Sequence, residues 1–185
     1  MASSLRGLPI GLVLASAVAC ARATVSSARA SDVCTSGPSA SLAAADTAVA
    51  QVLDDWHDAA SKADEERYFA HFAKGAVFLG TDGAERWTVP AFRSYAHPHF
   101  ANGKAWSFHS TRREITFASD VAWFDEDLDT PNLGPARGSG VLVREERGVW
   151  KIAQYNLSVP IPNGRFKDVR ALIESTAADA GPLRP

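Results

Sequence analysis

The feature that most constrains this chain is a change of hydrophobic period halfway along it. In the first half, apolar residues recur at helical spacing. From residue 106 to residue 159 the pattern becomes period two, broken only by turn chemistry, and reads as four strands over residues 106–117, 121–127, 137–147 and 149–159. Their connections are Ser119-Asp120, Pro131-Asn132-Leu133-Gly134-Pro135 and Arg147-Gly148. Helices first and a curled antiparallel sheet afterwards is an α+β plan in two layers.

The helical half starts near Ala43. Val49, Val52, Leu53 and Trp56 form one stripe, with Asp54, Asp55 and Asp58 on the other faces and Asp46 placed as an N-cap. A second helix over residues 64–72 turns Tyr68, Phe69 and Phe72 inward. A short strand over 76–79 closes on Gly80-Thr81-Asp82-Gly83, and a third helix over 89–100 carries Pro90 in its first turn. Residues 165–180 show a weak helical stripe through Phe166, Val169, Leu172 and Ile173, suited to lie on the domain or on a partner.

A chain of 185 residues has room for one core. Its formal net charge of −2, with basic residues scattered and Arg112-Arg113 the densest pair, gives no electrostatic footprint for nucleic acid. Ahead of the core, Arg6 precedes an apolar run over 8–19, too short for the roughly 20 residues that span a bilayer. Residues 1–23 therefore read as a signal peptide or lipoprotein signal, and the chain as exported: periplasmic, secreted or lipid-anchored. Ala17-Val18-Ala19-Cys20 resembles a lipobox with Ala17 where Leu is preferred, and a lipid on Cys20 would be the only link to a membrane. The competing cleavage sites are Ala21-Arg22-Ala23 and Ala28-Arg29-Ala30. Residues 24–42 lack large apolar side chains and read as a flexible leader. Cys20 and Cys34, the two cysteines, both lie ahead of the domain.

Gly80-Thr81-Asp82, with Glu85-Arg86-Trp87 after it, Trp123-Phe124, and the closing Trp150-Lys151-Ile152 with Ser158-Val159-Pro160 together resemble the SnoaL-like branch of the nuclear transport factor two superfamily. The resemblance spans residues 48–163. It implies a cone in which N-terminal helices pack on a curled antiparallel sheet around a pocket, with residues 43–163 as that domain and 164–185 as a C-terminal helix and tail. It also implies homodimers paired through the outer sheet face. The superfamily holds isomerases, cyclases, dehydratases, ligand binders and assembly modules, so the fold leaves activity open.

Strand parity sorts the candidate site residues by face. On the last strand Trp150, Ile152, Gln154, Asn156 and Ser158 share a side. That mixture suits a cavity wall, or else a solvated or subunit-facing surface. On the first long strand His109 shares a side with Thr111, Arg113, Ile115 and Phe117, which makes it a candidate general base. Asp125 follows Trp123 on one face of the next strand and is its candidate partner, against the alternative of an exposed acidic rim with Asp127 and Asp129. The expected ligand-binding set is Trp56, Phe78, Trp87, His109, Trp123, Gln154 and Asn156.

Metal chemistry finds no frame here. His97-Pro98-His99 points its rings apart, and Asp125-x-Asp127-x-Asp129 has Thr130 where a calcium loop needs Gly and Ala136 where it needs Glu. No Gly-x-Ser-x-Gly elbow, phosphate loop or dinucleotide fingerprint occurs, so no cofactor is expected. Gly138 and Gly140 read as a bend or bulge. Two functions lead: an exported protein that binds a small apolar or aromatic ligand without catalysis, or a pocket enzyme of isomerase, cyclase or hydrolase type that uses His109 and Asp125 as an acid–base pair; behind them stands a structural dimer module whose cavity is filled by its own side chains.

Overall fold

The computed structural model describes residues 38–103 and 105–180. The signal, the lipobox, both cysteines and most of the leader lie outside the described residues. Helix α1 spans Pro38–Ser61 and buries Val49, Leu53, Trp56, Ala59 and Ala60 along one stripe. It starts five residues before the expected boundary, inside the stretch read as leader, and Asp46 is an interior residue, not its cap. The Ala43-Ala44-Ala45 run, all strong helix formers, carries the helix past that position, and Pro38 suits a first turn.

Helix α2, Glu65–Ala70, is capped by Asp64, whose carboxylate accepts from the Arg67 amide at 3.1 Å. Strand β1, Phe72–Leu79, begins four residues earlier than its sequence pattern indicates. Gly75, at φ 78°, breaks the apolar alternation in between, and the pairing with the last strand shifts register across it. Strand β2, Arg86–Thr88, is short and was not legible from sequence. It pairs antiparallel with β1 and places Trp87 opposite Phe78. Thr88 then caps helix α3, Val89–Ala101, which buries Phe92, Ala96 and Phe100 at four-residue steps.

Strands β3 (His109–Ala118), β4 (Val121–Asp129), β5 (Ala136–Arg144) and β6 (Trp150–Ser158) complete a six-stranded sheet of order β2-β1-β6-β5-β4-β3. Only β1 and β6 run parallel. Helix α1 packs on β3 and β6, and α3 on β1 and β2, all on one sheet face. That face is rich in rings. Trp56 stacks on Tyr68 with centroids 4.9 Å apart and meets Tyr155 edge-on at 4.5 Å, while Phe78 stacks on Phe92 at 4.0 Å. Helix α4, Phe166–Ala180, keeps Phe166, Leu172 and Ile173 exposed, so its apolar stripe is not laid on the core.

Two bulges decide which side chains look inward. On β6 Gln154 opposes Val141 and Ile152 opposes Leu142, which leaves Ala153 as an extra residue. Trp150 and Ile152 therefore face the helices, and beyond the bulge Tyr155 and Leu157 do, while Gln154 and Asn156 turn outward. On β3 the register slips between Ser110 and Arg112, so Arg113, Ile115 and Phe117 face inward and His109 does not share their side. Strand β4 has no bulge, but its inner set is Ala122, Phe124, Glu126 and Leu128, and Trp123 and Asp125 stand on the outer face.

Candidate functional site

A pocket of about 170 Å³ opens between α3, the β1–β2 hairpin and the segment that leads into β3. Its walls are Phe78 from β1, Trp87 from β2, Phe92 and Tyr95 from α3, Trp106 and Phe108 from the lead-in, and Leu157 from β6. The rings are arranged in pairs: Trp87 lies nearly parallel to Tyr95 at 5.2 Å, and Phe92 to Trp106 at 5.8 Å. Phe92 and Tyr95 are three residues apart, so one helix face delivers both.

Gly80, Thr81 and Glu85 form the mouth. The Gly80 amide donates to the Glu85 carbonyl at 2.9 Å, and the Asp82 carboxylate accepts from the Ala84 amide at 2.8 Å, which closes a tight loop. Inside it the Asp82 amide donates to Glu85 Oε2 at 3.2 Å, folding that side chain back over Gly80. A β-carbon at position 80 would lie 2.9 Å from the Glu85 carboxyl carbon, so only glycine leaves the carboxylate its place.

Deeper in the core, Glu126 is wholly buried and still fully partnered. His57 Nε2–H donates to its Oε1 at 2.8 Å and the Tyr155 hydroxyl to the same oxygen at 3.1 Å. Arg113 Nε donates to Oε2 at 2.9 Å, and Arg113 Nη1 reaches out to Asp54 at 2.8 Å. Burial pushes the Glu126 carboxyl up; the His57 hydrogen bond and the Arg113 charge more than offset it and hold the group below the usual carboxylate range. His57, Tyr155 and Arg113 all point at one carboxylate, which makes this a packed network and not an open site.

The expected site residues fall into three places. Phe78 and Trp87 line the pocket, and Trp56 is sealed in the core beside it. His109 is exposed, on the rim of a separate polar cleft with Asp54, His57 and Asp58. Trp123 (46 % exposed), Asp125, Gln154 and Asn156 stand on the outer sheet face, and the grouping of these four with His109 around one cavity is corrected accordingly. His109 pairs with Asp129 across the strands, four residues along β4 from Asp125, so the two proposed acid–base groups are separated by roughly 13 Å. Asp125 is instead held by Arg112 at 2.8 Å. The residues that parity missed, Phe92, Tyr95, Trp106, Phe108 and Leu157, come from three segments: α3, the lead-in to β3, and β6. Only the Phe92–Tyr95 spacing left a signal in the sequence.

An α+β cone with a ring-lined pocket between its helical layer and its sheet defines the class. Residues 49–162 match the model of the SnoaL-like domain, and the chain belongs to that family. No curated protein sequence matches it significantly. Among solved structures it resembles a nuclear-transport-factor-two-like protein of unknown function from Pseudomonas putida, at 16 % identity over 65 % of this chain and 90 % of that one, TM-score 0.55. A suspected scytalone dehydratase from Novosphingobium aromaticivorans is similar at 12 % identity over 66 % and 89 %, TM-score 0.57. A protein of unknown function from Mycobacterium tuberculosis is similar at 20 % identity over 75 % and 89 %, TM-score 0.58. Likeness at these identities establishes the shared fold and leaves the chemistry to the site.

Proposed function

We propose that the protein binds a small, mainly apolar or aromatic molecule in the α3 pocket and performs no chemistry on it. The observation that carries this reading is the wall itself: six aromatic side chains and Leu157 line the space, and among the described residues no imidazole, thiol or amine joins them. Among the described residues Glu85 is its one carboxylate, and no imidazole or second carboxylate joins it to form the usual acid–base pair. The volume of about 170 Å³ sets the size of the guest. A dry cavity of about 150 Å³ holds benzene, so the guest is one ring or a comparable alkyl body.

A thermal-shift screen of single-ring compounds tests it, with Leu157→Trp as the blocked control. Hits should raise the wild-type midpoint and lose that effect in Leu157→Trp, while the far-ultraviolet circular dichroism stays the same. Turnover of any hit, or hits that bind the blocked variant equally well, would overturn the reading.

The same proposal puts the protein outside the cytoplasm, supported by Arg6 and the apolar run over 8–19, with Cys20 as the only point for a lipid. Intact-mass measurement of native protein should find a terminus at or after Cys20; recovery of Met1 overturns it. It also has two copies meet through the outer sheet face, where Trp123 lies beside Val141 and Val121 beside Val143.

A further inference from the structure

We infer that the guest of the α3 pocket is an organic cation, a protonated amine or quaternary ammonium on a one-ring body. This rests on the binding reading above and adds the sign of the ligand's charge.

The charge content of the wall points in one direction. Among the described residues, no Lys, Arg or His lines the pocket. The single formal charge that these residues place on it is Glu85, which lies within 4 Å of no basic group among them. Most other carboxylates that the fold orders are claimed: Asp58 by Lys62 and Arg67, Glu65 by Arg93 and His97, Asp127 by Arg112, Glu126 by Arg113. A loop whose hydrogen bonds fix a carboxylate at a pocket mouth, with one amide on Oε2, leaves Oε1 available to a ligand.

The rings strengthen the preference. Trp87, Tyr95 and Trp106 line the pocket, and the face of such a ring carries a quadrupole that attracts a cation and repels an anion, most strongly for Trp. A carboxylate ligand would meet both those faces and Glu85 at close range in a site partly screened from water, where like charges repel more strongly than in bulk. A neutral ligand gains only apolar burial. An ammonium gains that burial, the π faces and the Glu85 charge together, without a desolvated anion to oppose it.

The test uses three probes of one size, benzylammonium, benzyl alcohol and benzoate, titrated calorimetrically into wild type, Glu85→Gln and Trp87→Leu at low salt. Benzylammonium should bind about tenfold or more tightly than benzyl alcohol, and benzoate more weakly than either. Glu85→Gln should shrink the cation preference to about threefold or less with benzyl alcohol unchanged, and Trp87→Leu should weaken the cation more than the alcohol. If benzyl alcohol or benzoate binds as well as benzylammonium, the cation inference falls and the binding reading stands. If none of the three binds the wild type at millimolar concentration while Leu157→Trp behaves identically, the binding reading falls with it.

Discussion

His57 Nε2 sits 2.8 Å from Glu126 Oε1, a bond that ties the C-terminal turns of α1 to the middle of β4 where no water reaches the carboxylate. With Tyr155 from β6 and Arg113 from β3 on the same group, one side chain joins three strands to the helix above them. The ion pair on its own is weak evidence for net stability, because two charges had to leave water to form it. Removal of one member is another matter.

Glu126→Ala leaves Arg113 and His57 facing an empty, buried position. The expected loss is about 3–5 kcal/mol of unfolding free energy. Glu126→Gln keeps the shape and one acceptor and should cost less, about 1–3 kcal/mol. Urea unfolding followed by tryptophan fluorescence measures both; a loss under about 1 kcal/mol for the alanine variant would show that the network anchors nothing.

The acid limb of stability follows from the same group. The folded protein holds the Glu126 carboxyl below its ordinary value of 4.5, so the unfolded chain binds the proton more readily. Its contribution is complete above about pH 5 and drains away as pH falls below 4.5 through the depressed folded value. In Glu126→Gln the slope of unfolding free energy between about pH 5 and pH 3 should flatten relative to wild type, and equal slopes would count against the assignment. At the other end, burial pushes the Tyr68 and Tyr155 hydroxyls well above 10, so the folded state keeps those protons longer and its stability should fall as pH rises past about 10.

Gly138 has no room for a side chain. A β-carbon there would run into the Tyr155 hydroxyl and lie 2.8 Å from Glu126 Oε1, both held in place by their hydrogen bonds. Gly138→Ala should cost about 1–3 kcal/mol by overpacking. The double variant with Tyr155→Phe should recover part of it, because the colliding oxygen is gone. Chemical denaturation of the four proteins of this cycle gives the coupling, and strict additivity would mean the clash is relieved elsewhere.

The outer sheet face separates stability from assembly. Asp125 meets Arg112 in the open, and its replacement by Ala should move the unfolding free energy by about 0.5 kcal/mol or less. Trp123→Glu should be similarly mild for the monomer but should abolish pairing of two copies through that face. Sedimentation of wild type at micromolar concentration should give a dimer and of Trp123→Glu a monomer. A wild-type monomer, or a Trp123→Glu dimer, removes the outer face as the contact.

Apart from the three-residue β2, the order of elements was legible in the chain because local rules set it. The stripe Val49, Leu53 and Trp56 makes a helix wherever it stands, and Arg147-Gly148 makes a turn. The SnoaL-like resemblance of Gly80-Thr81-Asp82 and the closing Trp150-Lys151-Ile152 likewise pointed to the right architecture. The pocket was legible only at Phe78 and Trp87: Trp56, read from its helical stripe, is packed into the core, and the other expected members depended on counting alternate residues, which one bulge reverses. Ala153 turned Gln154 and Asn156 outward, and the slip after Ser110 detached His109 from the face of Arg113. On β4 the count itself was sound, but period two says which residues share a face and nothing about which face is inside. The helices of the first half decide that, by covering Phe124 and Glu126 and leaving Trp123 and Asp125 bare. Pattern is a property of neighbours in sequence, whereas the pocket is a property of which distant surfaces meet, and only the packed structure contains that.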